Sequence, residues 1–227
     1  MPASSPATRT ALLVLADGRF PAGGHAHSGG AEEAVAAGRL TDAAALARFC
    51  HGRLHTTGLV TAALAAAAAG SHDPLELEDA ADARTPSLAL RRTSRKLGRQ
   101  LMRAARATWP SPELEALAAA RPRGAHQPVV LGLLARAAGL TPLDAAHAAV
   151  HESVSGPATA AVRLLGLDPY DVAGLLARLT PDMDGVARRA AEAAEAGDSG
   201  ELPAASAPLL ETGAESHAAR PVRLCAS

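Results

Sequence analysis

Residues 141–169, "TPLDAAHAAVHESVSGPATAAVRLLGLDP", decide the fold class because they contain one long helix between two start signals. Thr141-Pro142 places a hydroxyl side chain before a proline, which suits the N-cap and the first position of a helix. Asp168-Pro169 repeats the pattern and marks the start of the next helix. The interval shows no period of two, so we predict a helix from Pro142 to Leu165.

The same pairing of a capping residue with proline marks further helix starts along the chain. The other pairs are Asp73-Pro74, Thr85-Pro86, Ser111-Pro112 and Thr180-Pro181. Between these boundaries we predict helices at about 41–69, 86–107, 128–138, 169–179 and 181–196, and shorter ones near 8–16, 31–37 and 74–83. The fold class is therefore predicted to be all-α: a single compact helical bundle of about eight to ten helices with a flexible C-terminal tail.

The composition changes near Gly197, which gives a prediction of domain organisation. Residues 1–196 should form one all-helical domain, because only short loops join the predicted helices. The stretch that follows, "GDSGELPAASAPLLETG", is richer in proline, glycine and serine. We therefore interpret residues 197–227 as a flexible linker and partner-binding C-terminal tail.

Composition and charge exclude several classes of function. Of the 227 residues 48% are hydrophobic but only 2% are aromatic, so Ala, Leu and Val must close the core by close helix packing. The formal net charge of −1 provides no positive field, so neither nucleic acid nor a membrane is expected as a partner. Cys50 and Cys225 indicate no disulfide framework, and the sequence shows no signal-peptide pattern. We expect a cytoplasmic protein.

The stretch from Leu12 to Val35, "LLVLADGRFPAGGHAHSGGAEEAV", raises the question of a phosphate loop. Two glycine pairs, Gly23-Gly24 and Gly29-Gly30, enclose His25 and His27. A Walker loop also needs a lysine that reaches the phosphates, and this stretch contains none. The glycines are therefore predicted to permit a tight turn between two helices, and the chain is not expected to hydrolyse GTP.

Histidine spacing permits fragments of a metal site but completes none. His51/His55 and His147/His151 are each four residues apart, which puts each pair on one helical face. Local spacing supplies no third ligand and no H-E-x-x-H motif, so structural or surface histidines are expected. One alternative stays open, a metal-dependent hydrolase that uses His147, His151 and Glu152. A stoichiometric metal ion that survives dialysis would favour it.

The segment from Leu90 to Arg106, "LRRTSRKLGRQLMRAAR", repeats basic residues at three- and four-residue spacing. Arg95, Arg99 and Arg103 belong to this stripe. Two interpretations are equally weighted: a solvated helix face, or an arginine-rich surface that docks an acidic protein. RNA binding is a third and minor reading, because aromatic stacking residues are missing.

Read with the rest of the chain, the stretch from Leu12 to Val35 resembles the UreF family of urease accessory proteins. That family carries L-A-D near its N-terminus and then P-I-G-G-F-S-H-S-x-G-L-E. Here His25 replaces the usual Phe and Ala31 replaces the usual Leu. The positions that match are Pro21, Gly23, Gly24, His27, Ser28, Gly30 and Glu32.

Three further segments match family motifs in the same order. Residues 98–105, "GRQLMRAA", resemble G-R-x-L-L, and residues 126–140, "HQPVVLGLLARAAGL", resemble H-x-P-V-V-x-G. The final residues 216–227, "SHAARPVRLCAS", resemble H-x-x-x-x-x-R-L-F-x-S, with Cys225 in place of Phe. At Leu165–Val172, "LGLDPYDV" stands where many members have P-L-G-Q-x-x-G-Q. The resemblance therefore covers nearly the whole chain.

The resemblance implies a non-catalytic helical protein that forms a homodimer and binds the accessory protein UreD/UreH. With that protein it would recruit the GTPase UreG to apo-urease for nickel delivery. No resident cofactor is implied, and nickel would be at most cargo in transit. The segment from Arg220 to Ser227 is predicted to be disordered alone and to become ordered on binding UreD/UreH. The predicted partner-binding residues are Pro21, Gly24, His27, Ser28, Glu32, Arg95, Arg99, Arg103, Arg223, Leu224 and Cys225.

Overall fold

The structure is a computed structural model, and it describes residues 6–24, 27–220 and 224–225. All regular secondary structure within these residues is helical, which confirms the predicted all-α class. Helices α1 to α4 are Pro6–Ala16, Ala31–Ala36, Ala43–Arg53 and Leu59–Ala69. Helices α5 to α8 are Pro74–Ala83, Leu88–Thr108, Pro112–Ala120 and Gln127–Ala137. Helices α9 to α12 are Pro142–Leu165, Pro169–Arg178, Thr180–Ala196 and Pro208–Ala218.

Most of the predicted cap–proline pairs begin helices. Asp73, Ser111, Thr141 and Asp168 are N-caps whose side chains accept backbone N–H bonds. Helix α6 begins two residues later than Thr85-Pro86 predicts, because the Ser87 hydroxyl caps it by accepting from the Leu90 N–H at 3.1 Å. Local cap chemistry therefore determined most, but not all, of these boundaries.

Helix α4 is the central element of the core. It has the sequence LVTAALAAAAA, and its residues 62–69 are all buried. Because alanine is small, α8, α9 and α11 all pack closely around it. Gly132 on α8 shows how close this approach is, since a Cβ there would collide with the carbonyl oxygen of Ala65. The low aromatic content is thus matched by a core of small side chains, in which the helix backbones lie close together.

A π-helical turn, Leu54–Gly58, joins α3 to α4 into one continuous rod that the sequence predicts as a single helix. The Thr56 hydroxyl donates to the Gly52 carbonyl at 2.8 Å, and the Thr61 hydroxyl donates to the Thr57 carbonyl at 3.0 Å. Hydroxyls that bond to nearby carbonyls compete with the regular helical hydrogen bonds. Turns of this kind are often found at functional sites.

Helix α12 lies inside the segment that composition identifies as a linker and tail. It packs against α6 and α2, and Leu202 before it is 3% exposed. The proline, glycine and serine content of this segment predicted too little apolar burial to hold it in place. The contacts that hold it, described below, are largely between polar groups. Of the predicted disordered segment 220–227, the structure describes Arg220, Leu224 and Cys225.

Among the residues that the structure describes, no helix is long and apolar enough to span a bilayer.

Candidate partner-binding site

The loop between α1 and α2 contains the first group of predicted partner-binding residues. Pro21 is exposed and Gly24 is half-buried, but His27 is 7% exposed and Ser28 is fully buried. The His27 N–H donates to the Gly24 carbonyl at 3.0 Å, which closes the turn. His27 and Ser28 therefore shape the loop from inside, and Pro21 is the member of this group that faces solvent. His25 lies outside the described residues.

Two glycines of this loop are required by backbone conformation and by space. Gly29 and Gly30 have φ values of 57° and 92°, which side chains other than glycine rarely adopt. A Cβ at Gly29 would lie 2.9 Å from Pro157 Cγ, and one at Gly30 would lie 3.0 Å from Leu210 Cδ2. The prediction that these glycines serve a tight turn is thus supported, and they also let α9 and α12 approach the loop.

Arg53 fastens the loop to helix α9. Pro157 lies inside α9 and has no N–H, so the Ser153 carbonyl loses its usual helical donor. Arg53 Nε donates to that carbonyl at 2.8 Å, and its Nη1 donates to the Gly29 carbonyl at 2.9 Å. Burial lowers the pKa of Arg53. No motif or spacing in the sequence points to this residue. The signal available in the sequence was a proline within a predicted helix, which leaves a carbonyl in need of a donor.

Glu32, at the start of α2, is the point where the loop, α12 and the end of the chain meet. Its carboxylate accepts from His217 Nε2 at 3.1 Å, from the Leu224 N–H at 2.8 Å and from the Cys225 N–H at 2.8 Å. The Glu32 and His217 side chains are only 11% and 3% exposed. Burial by itself raises the pKa of Glu32, but the bonds from Leu224, His217 and Cys225 outweigh it and lower the pKa. We call these four residues the Glu32 cluster.

A second buried carboxylate, Glu33, strengthens the contact between α2 and α12. Arg220 Nη2 lies 2.7 Å from Glu33 Oε2 in an ion pair whose carboxylate is 10% exposed. A Cβ at Gly213 of α12 would lie 3.2 Å from Glu33 Cγ, so the two helices approach closely here. Adjacent residues of α2 thus hold the body of α12 and the chain that follows it.

Carboxylates of α12 also cap the start of α6. Glu215 Oε1 accepts from the Ala89 N–H at 2.9 Å and from the Ser87 hydroxyl at 2.6 Å. Glu211 Oε2 accepts from the Ser87 N–H at 2.8 Å. The backbone bond from Ala89, then the Ser87 hydroxyl, lower the pKa of Glu215. Negative charge beside free amides stabilises a helix start, so α12 is attached by electrostatics as well as by packing.

Three leucines of the segments joined here are exposed: Leu88 of α6, Leu209 of α12 and Leu224 beside Glu32, at 50%, 68% and 81% exposure. A cavity of about 730 Å³ opens between α2, α3, α6 and α12. It is lined by apolar side chains that include Phe49 and Leu210, and by arginines of α3, of α6 and of the turn after α2. These arginines are Arg39, Arg48, Arg53 and Arg92. An apolar centre with arginines around it is typical of protein interfaces.

The arginines on α6 differ in exposure and in hydrogen-bond partners. Arg95 Nη2 donates to Asp82 Oδ2 at 2.6 Å, and Arg99 donates to the Arg123 carbonyl. Arg103 is exposed and faces solvent. Arg95 is therefore part of the packing between α5 and α6, whereas Arg99 and Arg103 remain candidates for contact with a partner.

His126, which begins the segment matching the H-x-P-V-V-x-G family motif, lies in a buried hydrogen-bond network. His126 is 1% exposed, and its Nε2 and Nδ1 lie 2.9 Å from Asp82 Oδ1 and 3.0 Å from Ser94 Oγ. The Gln127 N–H donates to the same Ser94 oxygen at 3.2 Å. Burial lowers the pKa of His126 although Asp82 opposes this, so the neutral ring is favoured. This Ser–His–Asp arrangement links α5, α6 and α8, and its serine oxygen is already bonded to a backbone amide.

The residues of the alternative hydrolase do not converge on one point. His147 Nε2 lies 3.3 Å from Asp184 Oδ1, and its Nδ1 lies 3.0 Å from the Leu143 carbonyl. Glu152 accepts from Gln127 Nε2 at 2.6 Å, and burial raises its pKa. Among the described residues, the one group of three metal-ligating side chains lies elsewhere, so His147, His151 and Glu152 form no such set. The positions of these side chains therefore give no support to the hypothesis of a metal-dependent hydrolase.

Sequence comparison identifies the family of the chain. The sequence model of the UreF family matches residues 40–180. The chain belongs to the UreF family. A urease accessory protein UreF from Mycobacterium sp. (strain JLS) is 45% identical over 221 residues, with 97% of this chain and 99% of the relative covered. The UreF of Mycolicibacterium vanbaalenii is 44% identical, with 95% and 97% covered, and that of Mycobacterium tuberculosis (strain ATCC 25177 / H37Ra) is 43% identical, with 91% and 92% covered.

Membership of the UreF family confirms the resemblance drawn from the sequence motifs. The UreF relatives are named as accessory proteins, which also confirms the prediction that the chain is not an enzyme. The structure brings Glu32, Leu224 and Cys225 together, but it keeps Arg95 in an internal ion pair. Arg223 lies outside the described residues. The partner roles of these residues stay predictions.

His217 is the member of the Glu32 cluster that sequence reasoning missed. It lies within the tail motif of the UreF resemblance, but no local spacing connects it to Glu32. The helix that carries it was also missed, since Ala207 before Pro208 is not a capping residue. The available signal was Pro208 itself, which suits the first turn of a helix.

Proposed function

We propose that this UreF family member is a non-catalytic accessory factor in the insertion of nickel into apo-urease. In this proposal it forms a homodimer, binds UreD/UreH, and with that protein recruits or regulates the UreG GTPase. The name shared by its relatives, urease accessory protein, supports the urease-related role. Nickel is a cargo of the assembly in this proposal, and no resident cofactor is needed.

The observation that carries the proposal is the Glu32 cluster. One buried carboxylate holds the N-terminal loop, α12 and the end of the chain in a single unit. Leu224 is 81% exposed although its backbone is bonded to Glu32, so the cluster presents an apolar side chain to solvent. A backbone held by hydrogen bonds that displays an apolar side chain is suited to anchoring a partner.

We assign the UreD/UreH contact to the surface formed by Leu88, Leu209 and Leu224, which we call the α12 surface. Leu88 begins α6 where Glu211 and Glu215 of α12 are bonded, so the first two leucines belong to neighbouring elements. The adjacent cavity of about 730 Å³ offers room for side chains of the partner, and its arginines offer charged contacts.

The exposed arginines of α6 are proposed as a second contact surface, in the homodimer or toward an acidic partner. Arg99 and Arg103 are exposed on one face of a helix. A guanidinium binds a carboxylate through two parallel hydrogen bonds, which lysine cannot reproduce. We expect Arg103→Asp to weaken assembly in size-exclusion chromatography without loss of helical circular dichroism. Normal assembly of this variant would assign the face to solvent.

We propose that the assembly forms in the cytoplasm. Cys50 and Cys225 are both free thiols, and a reducing compartment keeps such thiols unpaired. Burial raises the pKa of Cys50 to about 11, so this thiol is unreactive at neutral pH.

Co-purification tests the UreD/UreH contact. Leu209→Glu should abolish or greatly reduce capture of UreD/UreH, because it places a charge in the apolar centre of the α12 surface. Tyr170→Glu is the matched control, since Tyr170 is 85% exposed and belongs to α10, which carries none of the three leucines. Equal capture by both variants would exclude the α12 surface as the contact.

A deletion strain tests the cellular role. Removing the protein should leave the urease apoprotein in place but poor in nickel and nearly inactive, and the intact gene should restore activity. Metal analysis of the purified urease measures the outcome directly. Full urease activity in the deletion strain at ordinary nickel concentration would refute the accessory role.

A further inference from the structure

Three metal-ligating side chains meet on the surface formed by α3, the π turn and α11. His51 lies in the last turn of α3, His55 lies in the π turn and Asp182 lies in the first turn of α11. Each offers one ligand atom, and the three atoms all lie within 4.8 Å of one another. The imidazole rings are 4.5 Å apart at an interplanar angle of 56°. The two-histidine fragment seen in the sequence thus gains a third ligand from a helix that follows more than a hundred residues later.

The three groups are accessible but held by rigid elements. His51 and Asp182 are exposed, and His55 is half-buried. The π turn packs against α11, so the histidines and the aspartate are attached to helices that contact each other directly. Sites built on helices hold their ligands more firmly than sites built on loops.

We infer that His51, His55 and Asp182 form a surface binding site for a divalent first-row transition cation such as Ni²⁺ or Zn²⁺. Two imidazole nitrogens and one carboxylate suit these cations, whereas Mg²⁺ and Ca²⁺ prefer oxygen ligands. Three protein ligands leave the remaining coordination positions to water, so the ion is exchangeable and not structural. The site is separate from the α12 surface, and it does not depend on the proposed role in urease maturation.

Arg189 competes with the cation for His55. Its Nη2 lies 3.2 Å from His55 Nδ1, and the guanidinium always donates, so Nδ1 is the acceptor in this contact. The neutral ring then carries its proton on Nε2, and neither nitrogen is ready to bind a metal. Arg189 is exposed on α11 and must swing aside before His55 can coordinate.

The charge of Arg189 also opposes the cation, in addition to its contact with His55 Nδ1. Loss of the arginine charge beside a dication should tighten binding about three- to tenfold, given screening by water and salt.

Calorimetric titration of the tag-free chain with NiCl₂ and ZnCl₂ at pH 7.5 tests the inference. The background should carry His25→Ala, because His25 lies outside the described residues and offers another imidazole. We expect one equivalent of Ni²⁺ or Zn²⁺ at this site and none of Mg²⁺. His51→Ala and Asp182→Asn should each weaken that equivalent about tenfold or more, and Arg189→Gln should tighten it.

Asp184→Asn is the matched control, because Asp184 lies on the same turn of α11 but pairs with the single histidine His147. Its affinity should equal that of the unaltered chain. Equal affinities for the Asp182→Asn and Asp184→Asn variants would overturn the site, and weaker binding by Arg189→Gln would overturn the competing role of Arg189. Circular dichroism of each variant separates a lost ligand from lost folding. Neither result bears on UreD/UreH capture, which depends on a different surface.

Discussion

Replacing Glu32 with glutamine should release the end of the chain while the helical body stays folded. In the native protein Glu32 Oε1 accepts from the Leu224 N–H, and Oε2 accepts from His217 Nε2 and from the Cys225 N–H. Glutamine has nearly the same size but only one oxygen. With that oxygen at the Oε2 position, the bonds from His217 and Cys225 persist without their charge, and the Leu224 amide faces an NH₂ group.

The magnitude follows from the bonds that are lost and weakened. A hydrogen bond to a charged group contributes about 1.5–3 kcal/mol, and a neutral one about 0.5–1.5 kcal/mol. Losing one charged bond and weakening a second should therefore cost the end segment about 2–3 kcal/mol of local stability. Since 1.4 kcal/mol corresponds to a factor of ten, the Leu224 and Cys225 amides should lose about 30- to 100-fold of their protection from hydrogen exchange.

Hydrogen exchange resolved at the Leu224 and Cys225 amides measures this effect. Glu33→Gln is the matched control, because Glu33 is the next residue and pairs with Arg220 instead of with the chain end. The folded pKa of Glu32 lies below its ordinary value of 4.5, so its stabilisation is present above that value and is lost as pH falls through the folded pKa. The difference between native and variant protection should accordingly be full at pH 7 and disappear in acid.

One result would refute this reasoning directly. If Glu32→Gln leaves the protection of Leu224 and Cys225 unchanged at pH 7, the carboxylate does not hold the chain end. Equal losses in the Glu32→Gln and Glu33→Gln variants would also contradict it, because they would indicate a general loosening of α2. Global urea denaturation should move little in either case, since the helical core is built from other contacts.

Three further predictions concern the helical body. Burial raises the pKa of Glu78 to about 7, so the free energy of unfolding should fall as pH rises from about 4.5 to 7. In urea denaturation, Glu78→Gln should therefore raise the free energy of unfolding by about 1–3 kcal/mol at pH 8 and leave it unchanged at pH 4.5. Gly132→Ala should destabilise by about 2–3 kcal/mol through collision between α8 and α4, whereas Gly156→Ala, with open space around it, should be neutral or stabilising in the same thermal melt. Arg95→Ala should lower the free energy of unfolding by about 1–2 kcal/mol, because it breaks the ion pair with Asp82 of α5. Arg103→Ala should change it by no more than about 0.5 kcal/mol. Equal losses would contradict the conclusion that Arg95 is structural and Arg103 is not.

The sequence by itself determined the helical class, most helix starts and the family. Asp73, Ser111, Thr141 and Asp168 each cap a helix, because a side-chain oxygen before proline satisfies amides only a few residues away. Such interactions are local, so they can be read without knowing the fold. The UreF motifs were recognisable for a related reason, since they consist of fixed residue types in a fixed order.

Only the tertiary structure decided which distant groups meet. Glu32 is joined to His217 across 185 positions, and Arg53 reaches the Ser153 carbonyl across 100. Asp182 comes within 4.8 Å of the ligand atoms of His51 in α3 and His55 in the π turn. Burying a polar group costs free energy unless the packing of distant helices supplies its partner, and no short-range period or spacing carries that information. For the same reason, composition described residues 197–227 as a linker and tail, while carboxylates and an arginine of α12 and its flank attach part of it to the helical body.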